Sequence, residues 1–286
     1  MMLRYAITII AAFLALGAPA SAKPVDELIE IAGGKPITLR PDRAYLMFRV
    51  TQQSGVTPLE PLLMRVPTAE EIARYEAAKA EAFAKALPGL TKTYQRNLDR
   101  LRQSAGSADP APTAPTLESF PFAWDAVGNL QDVDFGRQFV KTAAEETFLV
   151  EALPGDYVLY GFTPSTGLPR LMVCLCLGSV GFSAKAGEVT DLGYLISDFA
   201  YRPSKAPELK GQGGYTGTVR AARADSSMPP ALADARITPA TYRAVGRFFT
   251  PNAVNIGRLA EVPGVLDYAG GTVIDAATGQ AVPDNF

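Results

Sequence analysis

Thr147-Phe148-Leu149-Val150 and Tyr157-Val158-Leu159-Tyr160, with Leu153-Pro154-Gly155-Asp156 between them, decide the fold of this chain. Both outer runs are rich in β-branched and aromatic residues, which fit a pleated, half-buried surface. Pro, Gly and Asp in the middle carry turn chemistry: a preset φ, a permissive φ and a side chain that bonds its own backbone. The pattern predicts two strands joined by a tight turn.

The same alternation extends outward. C-terminally, Leu171 to Leu177 is a continuous apolar run and reads as a buried strand. Ser179 to Ser183 and Val189 to Ile196 follow as strands around Lys185-Ala186-Gly187. N-terminally, Phe135 to Val140, Arg43 to Val50 and Ile37 to Leu39 read as strands, while 51–67 reads as loop, punctuated by Gly55, Pro58, Pro61 and Pro67. Short strands separated by turn signals at this density favour a sandwich. The expected class is therefore mainly β with an α insertion, in the α+β sense.

The insertion announces itself at Thr68-Ala69-Glu70-Glu71, a capping box in which the Thr68 hydroxyl and the Glu71 carboxylate satisfy each other's amides. A helix is expected from about Ala69 to Leu87, and a second from about Leu90 to Gln103. Pro88-Gly89 between them reads as a stop, so the expectation is a helical hairpin, or one kinked helix, over 68–103. Residues 104–117, with three prolines among small polar residues, read as a linker. The remaining boundaries are N-terminal strands over 23–67, the main part of the sandwich over 118–200, and a loop-rich C-terminal extension over 201–286. In that extension 202–236 reads as loop and Pro239 to Arg247 as a short helix capped by Thr238. Gly271 to Asp275 and Gln280 to Val282 read as a closing hairpin.

Residues 1–22 carry one charge, Arg4, then an apolar run from Ile7 to Leu16, then Ala20-Ser21-Ala22. This is the pattern of a secretory signal peptide cut after Ala22, with a core too short to span a bilayer. The expectation is a periplasmic or secreted protein with no transmembrane segment after cleavage. Cleavage removes one of 27 Lys+Arg residues and none of the 29 Asp+Glu, so the mature chain stays mildly acidic. That balance argues against nucleic acid as a partner.

Leu153-Pro154-Gly155-Asp156-Tyr157-Val158-Leu159, followed by Ala186-Gly187-Glu188-Val189-Thr190, resembles the strand starts and turns of small Ig-like or transthyretin-like envelope modules. Gly271-Thr272-Val273-Ile274-Asp275-Ala276-Ala277-Thr278-Gly279-Gln280-Ala281-Val282 resembles the opening hairpin of carboxypeptidase-regulatory-like domains, with Ala281 in place of the usual Pro. The resemblance implies an Ig-like or transthyretin-like β-sandwich serving a structural or binding role, with no catalytic residues to carry over.

The chain contains no histidine. Ser-His-Asp and Cys-His triads and His-bearing zinc sites are thereby excluded. No GxSxG or SxxK motif occurs, and Gly211-Gln212-Gly213-Gly214 lacks the third glycine of a phosphate loop. The expected chain is non-catalytic, with no cofactor and no metal. Cys174 and Cys176 are the only cysteines. Two residues apart in a strand, their Cα atoms would lie about 6.5–7 Å apart, at the limit of disulfide reach. The spacing favours two small buried thiols over a bridge, which would need a bend that Gly178 could supply.

Two surfaces remain as binding candidates. Trp124, Asp125, Asp132 and Asp134 fall among Phe120, Phe122 and Phe135. Asp132 and Asp134 on one strand face would approach the roughly 5–5.5 Å separation of a retaining glycosidase pair. That composition suits a sugar-binding module or a carboxylate-dependent hydrolase, or simply a polar turn entering a strand with core aromatics. Lys92, Arg96 and Arg100 recur every four residues and form a basic stripe opposite the Leu/Tyr face of the second helical run. The favoured reading is a module that binds another envelope protein or a cell-surface polymer.

Overall fold

The computed structural model describes residues 28–34, 36–51, 59–103, 111–123, 129–133, 135–143, 145–164, 172–203, 213–222, 226, 228–248 and 255–285. In chain order the elements begin with β1 (Ile29–Glu30), β2 (Ala44–Thr51), β3 (Leu59–Arg65) and α1 (Ala69–Gln103). Then come β4 (Leu130–Asp132), β5 (Val140–Lys141), β6 (Glu145–Ala152), β7 (Gly155–Pro164), β8 (Val173–Cys174), β9 (Ser179–Ala184), β10 (Val189–Pro203) and β11 (Gly213–Arg220). The C-terminal part holds β12 (Ile237–Pro239), β13 (Arg243–Val245), β14 (Asn255–Ile256), β15 (Leu266–Ala269), β16 (Thr272–Asp275) and β17 (Gln280–Ala281). The chain is mostly β with one α-helix among the described residues.

Three sheets result. The first runs β1-β6-β2-β10-β11, with β5 beside β6 and β12 beside β10; the second runs β13-β9-β7-β3-β4, with β8 beside β7 and β14 beside β8; the third is β15-β16-β17. The deciding stretch falls as read: β6 and β7 are the two strands around Leu153-Pro154. They do not pair with each other. β6 pairs with β2 and β7 with β3, so the turn carries the chain from one sheet to the other.

Side-chain alternation explains why both sheets share a core. On β2, Ala44, Leu46, Phe48 and Val50 point one way, into a cluster that includes Leu63, Phe148, Leu159, Phe182, Leu192 and Val219 from both sheets. Tyr45 and Met47 point the other way, onto Phe139, Leu149, Val189 and Leu232. The second sheet likewise has a covered outer face, built on Leu62, Val158, Tyr160, Cys174, Cys176 and Phe248. Burying each such large side chain contributes about 1.5–3 kcal/mol, so β2, buried from Ala44 to Val50, anchors the first sheet from both faces.

Several sequence expectations need correction. Residues 59–65 are not loop but β3, a strand with neighbours on both sides. Pro61 is tolerated because its carbonyl, and hence its missing donor, faces the end of β4, where it accepts from the Val133 amide at 3.1 Å. Residues 213–220 form β11, within a stretch read as loop. The expected helix over Pro239–Arg247 is replaced by β12 and β13, which pair with β10 and β9. A nine-residue helix is marginal by itself, and the open edges of two sheets offer full pairing instead. Phe135–Gly136 is a turn, and of the strand expected over Phe135–Val140 only Val140 is extended, as the first residue of β5. Ile37–Leu39 forms no strand. The closing hairpin is borne out as β16 and β17 around Ala276–Gly279.

The helical hairpin is also corrected: α1 is one continuous 35-residue helix containing Pro88. Proline removes a single bond, the one its own amide would make to the Ala84 carbonyl. Residues 87–89 are all exposed, and Gly89 does not take the positive φ of a helix stop, so water can serve that carbonyl and the helix continues.

Candidate functional site

The helix is an excursion from a strand pair. β3 and β4 lie side by side, with Met64 opposite Leu130. The chain leaves at Arg65 and returns at Asn129, where the Arg65 amide donates to the Asn129 carbonyl at 2.8 Å and Asn129 Nδ2 donates back at 3.2 Å. Everything between them, α1 included, is carried on this closed neck.

The base of the arm is built by the capping box. Thr68 N donates to Glu71 Oε2 at 2.7 Å, and Glu71 N donates to the Thr68 hydroxyl at 3.2 Å. The same carboxylate takes both terminal nitrogens of buried Arg65, at 2.7 and 3.1 Å. The Arg65 guanidinium therefore holds the Glu71 carboxyl at about 2, well below its ordinary value, and the Thr68 amide assists. One side chain thus ties the helix start to the end of β3.

Beyond the base, no residue of α1 is buried. A half-buried stripe follows the apolar spacing: Tyr75, Ala78, Ala82, Phe83, Ala86, Leu90, Tyr94, Leu98 and Leu101. Part of the cover comes from the returning chain. Phe122 packs on Tyr75 and Phe120 on Phe83, with ring centroids 5.6 and 5.5 Å apart, and Lys79 Nζ reaches the Glu118 carbonyl at 3.4 Å. Lys92, Arg96 and Arg100 sit on the side away from Leu90, Tyr94 and Leu98, all exposed, and none forms an ion pair among the described residues.

The aromatic–carboxylate cluster expected around Trp124 is divided by the fold. Phe120 and Phe122 lie on the helix, whereas Phe135 stacks on Phe148 at 4.6 Å against the main core. Asp132 is exposed on β4, opposite Leu62. Trp124, Asp125 and Asp134 lie outside the described residues.

Cys174 and Cys176 are joined in a disulfide, which corrects the expectation of two free thiols. The backbone turns at Cys176–Leu177 and draws the two Cα atoms to 5.1 Å, within bridging range. Gly178, at φ 140°, completes the bend, and a Cβ there would meet the Tyr268 ring at 2.8 Å.

A polar cluster unforeseen in the sequence lies on the outer face of the first sheet. Arg49, fully buried, pairs with Asp191 at 2.7 Å, and that carboxylate oxygen also accepts the Gly193 amide at 2.9 Å. Arg49 Nε has no hydrogen-bond partner among the described residues. Beside it Tyr194 donates to Glu145 at 2.7 Å and contacts the Ser226 hydroxyl at 3.1 Å. On the core side, edge-on to Phe182, Tyr242 is pushed strongly upward by burial and then by Asp191, and donates to the Leu192 carbonyl at 2.7 Å. The only forewarning was an arginine inside an apolar strand run. These groups pin β2, β10 and β6 together rather than opening onto solvent.

Among the described residues no three His, Cys, Asp or Glu side chains gather to hold a metal ion, and no helix is long and apolar enough to cross a membrane. Comparison of the chain with protein-family models, curated proteins and solved structures finds no match.

Proposed function

We propose that this chain is an exported, non-catalytic envelope module that binds another envelope component through α1. In this reading the two large sheets form an Ig-like or transthyretin-like β-sandwich that serves as a rigid mount for the arm. The observation that carries it is the arm itself: a helix about 52 Å long at 1.5 Å per residue, held at its neck, with no buried side chain and an exposed basic stripe that forms no ion pair among the described residues. Isolated helices gain little from propensity alone, so a long exposed one is a surface kept for contact. The disulfide supports export, because such bridges persist in oxidising compartments. So does the signal-like pattern of residues 1–22.

The stripe selects an acidic partner surface over a lipid bilayer. A helix lying in a membrane buries its apolar face with cations at the flanks. Here Lys92, Arg96 and Arg100 face away from Leu90, Tyr94 and Leu98, so a helix seated on its apolar side would turn the stripe to water. Reversing all three charges, Lys92→Glu, Arg96→Glu and Arg100→Glu, is expected to leave the melting temperature unchanged. Binding to isolated envelopes is expected to fall at least about tenfold, and the wild-type binding to weaken with salt as exposed charges are screened. Undiminished binding by the folded triple variant would remove α1 from the contact.

A further inference from the structure

The disulfide closes a loop of only three residues, so it restricts the unfolded chain very little. Its effect must be sought locally, in what the turn holds. That turn is the socket for the C-terminal segment. Asn255 N donates to the Met172 carbonyl at 3.0 Å, Gly257 N to Cys174 at 2.8 Å and Leu259 N to Gly178 at 3.0 Å. Phe248 N donates to Cys176 at 3.0 Å, and Leu177 N returns a bond to Gly257 at 3.1 Å. Side chains follow: Phe248 closes over Tyr160 at a centroid distance of 5.3 Å, beside both cysteines.

We propose that the Cys174–Cys176 pair is an oxidative maturation site whose closure seats Phe248 and residues 255–259 on the second sheet. In the dithiol form only the turn at Gly178 favours the bend, and no bond holds the two cysteines to it. The Cα(174)–Cα(176) distance would relax toward the roughly 6.5–7 Å of extended chain, against 5.1 Å when bridged. The carbonyls of Cys174 and Cys176, which accept from Gly257 and Phe248, would then part by more than a hydrogen bond tolerates. The co-reactant is a disulfide donor. One cysteine thiolate attacks it, forming a mixed disulfide and releasing one thiol. The second cysteine thiolate then attacks the mixed disulfide, closing Cys174–Cys176 and releasing the second thiol. The protein gives up two electrons and two protons, and the donor takes them up. Both sulfurs are buried once the segment is seated, so closure precedes seating and the finished bridge is shielded from reductant.

The test uses the full chain, refolded either with excess dithiothreitol or with glutathione disulfide, and followed by hydrogen exchange. Thiol alkylation counts two free thiols in the first sample and none in the second. In the reduced sample the amides of Phe248, Asn255, Gly257 and Leu259 are expected to exchange at least about tenfold faster, while those of β2, β6 and β10 keep their protection. Adding glutathione disulfide is expected to restore the slow exchange, and Cys174→Ala/Cys176→Ala is expected to stay in the fast state. Unchanged protection of Phe248, Asn255, Gly257 and Leu259 with both thiols free would overturn the proposal. A loss of protection spread evenly over all sheets would overturn it too, by making the bridge a general staple. The comparison is made in vitro and stands apart from where the chain resides and what α1 binds.

Discussion

Glu71 does three things at once: it accepts the Thr68 amide, takes both terminal nitrogens of Arg65, and thereby fixes the angle at which the arm starts. Its carboxyl is held at about 2 in the folded chain, against 4.5 for an ordinary glutamate. A folded value below the unfolded one favours the folded state wherever the carboxylate is ionised. That contribution is complete above about pH 4.5 and is lost progressively as the pH falls toward 2. Glu71→Gln is expected to cost about 1–3 kcal/mol at neutral pH, because buried Arg65 loses its charged partner. The stability gap between the two proteins, from urea titrations, should close between pH 5 and pH 2.5; a pH-independent gap would contradict this account. Arg49 and Asp191 have a different standing. They are enclosed on the outer face of the first sheet, where desolvation offsets much of their attraction, so they specify which strands meet more than they stabilise the meeting.

Among the elements, α1 is the one whose local chemistry and overall form disagree. Pro88-Gly89 is a stop signal that the helix passes through. The Ala84 carbonyl gives up its amide partner, at a cost that helix scales place near 3 kcal/mol for an interior proline. Pro88→Ala restores that bond. The expected outcome is slower amide exchange between Ala84 and Lys92 and a gain in far-UV helical signal, with the strands of both sheets unaffected. Faster exchange there would mean that proline holds a bend on which Phe83–Phe120 packing depends. Strand β3 makes the complementary point. Its proline-studded sequence reads as loop, yet it is paired on both sides because Pro61 directs its missing donor past the end of β4.

Whole-molecule packing depends on how closely the two large sheets approach. Gly217 of β11 lies against Phe162 of β7, and a Cβ on Gly217 would fall 2.2 Å from the Phe162 ring. Its carbonyl also accepts the Ala260 amide at 2.8 Å, which links the first sheet to the C-terminal segment. Gly217→Ala is therefore expected to destabilise the whole fold by roughly 1–3 kcal/mol, as overpacked cores do. The urea midpoint measures this, and a shift below the scatter of repeat titrations would show that the sheets can separate at little cost. The same segment reaches the second sheet through the cystine turn, so Phe248 and residues 255–262 together touch both sheets.

What the sequence determined by itself was everything encoded within a few residues. The capping box at Thr68–Glu71, the turn at Leu153–Asp156, the strands β2, β6, β7, β9 and β10, and the hairpin of β16 and β17 all rest on neighbours close in the chain. Histidine-dependent mechanisms were excluded on the same terms, and so was the direction of the basic stripe, since helical spacing alone places Lys92, Arg96 and Arg100 on one side. The tertiary structure alone decided what depends on distant partners. The bend that brings Cys174 and Cys176 within bridging range lies where Gly257 and Phe248, more than 70 residues away, donate to their carbonyls, a meeting that no local pattern announces. Ile237–Pro239 and Arg243–Val245 became strands because β10 and β9 left edges open to them. Phe120 and Phe135, 15 residues apart in one aromatic stretch, were sent to the arm and to the core. Local propensity is worth tenths of a kcal/mol per residue, whereas pairing with a sheet edge and burial against it are worth several, so wherever the two disagreed the distant contact prevailed.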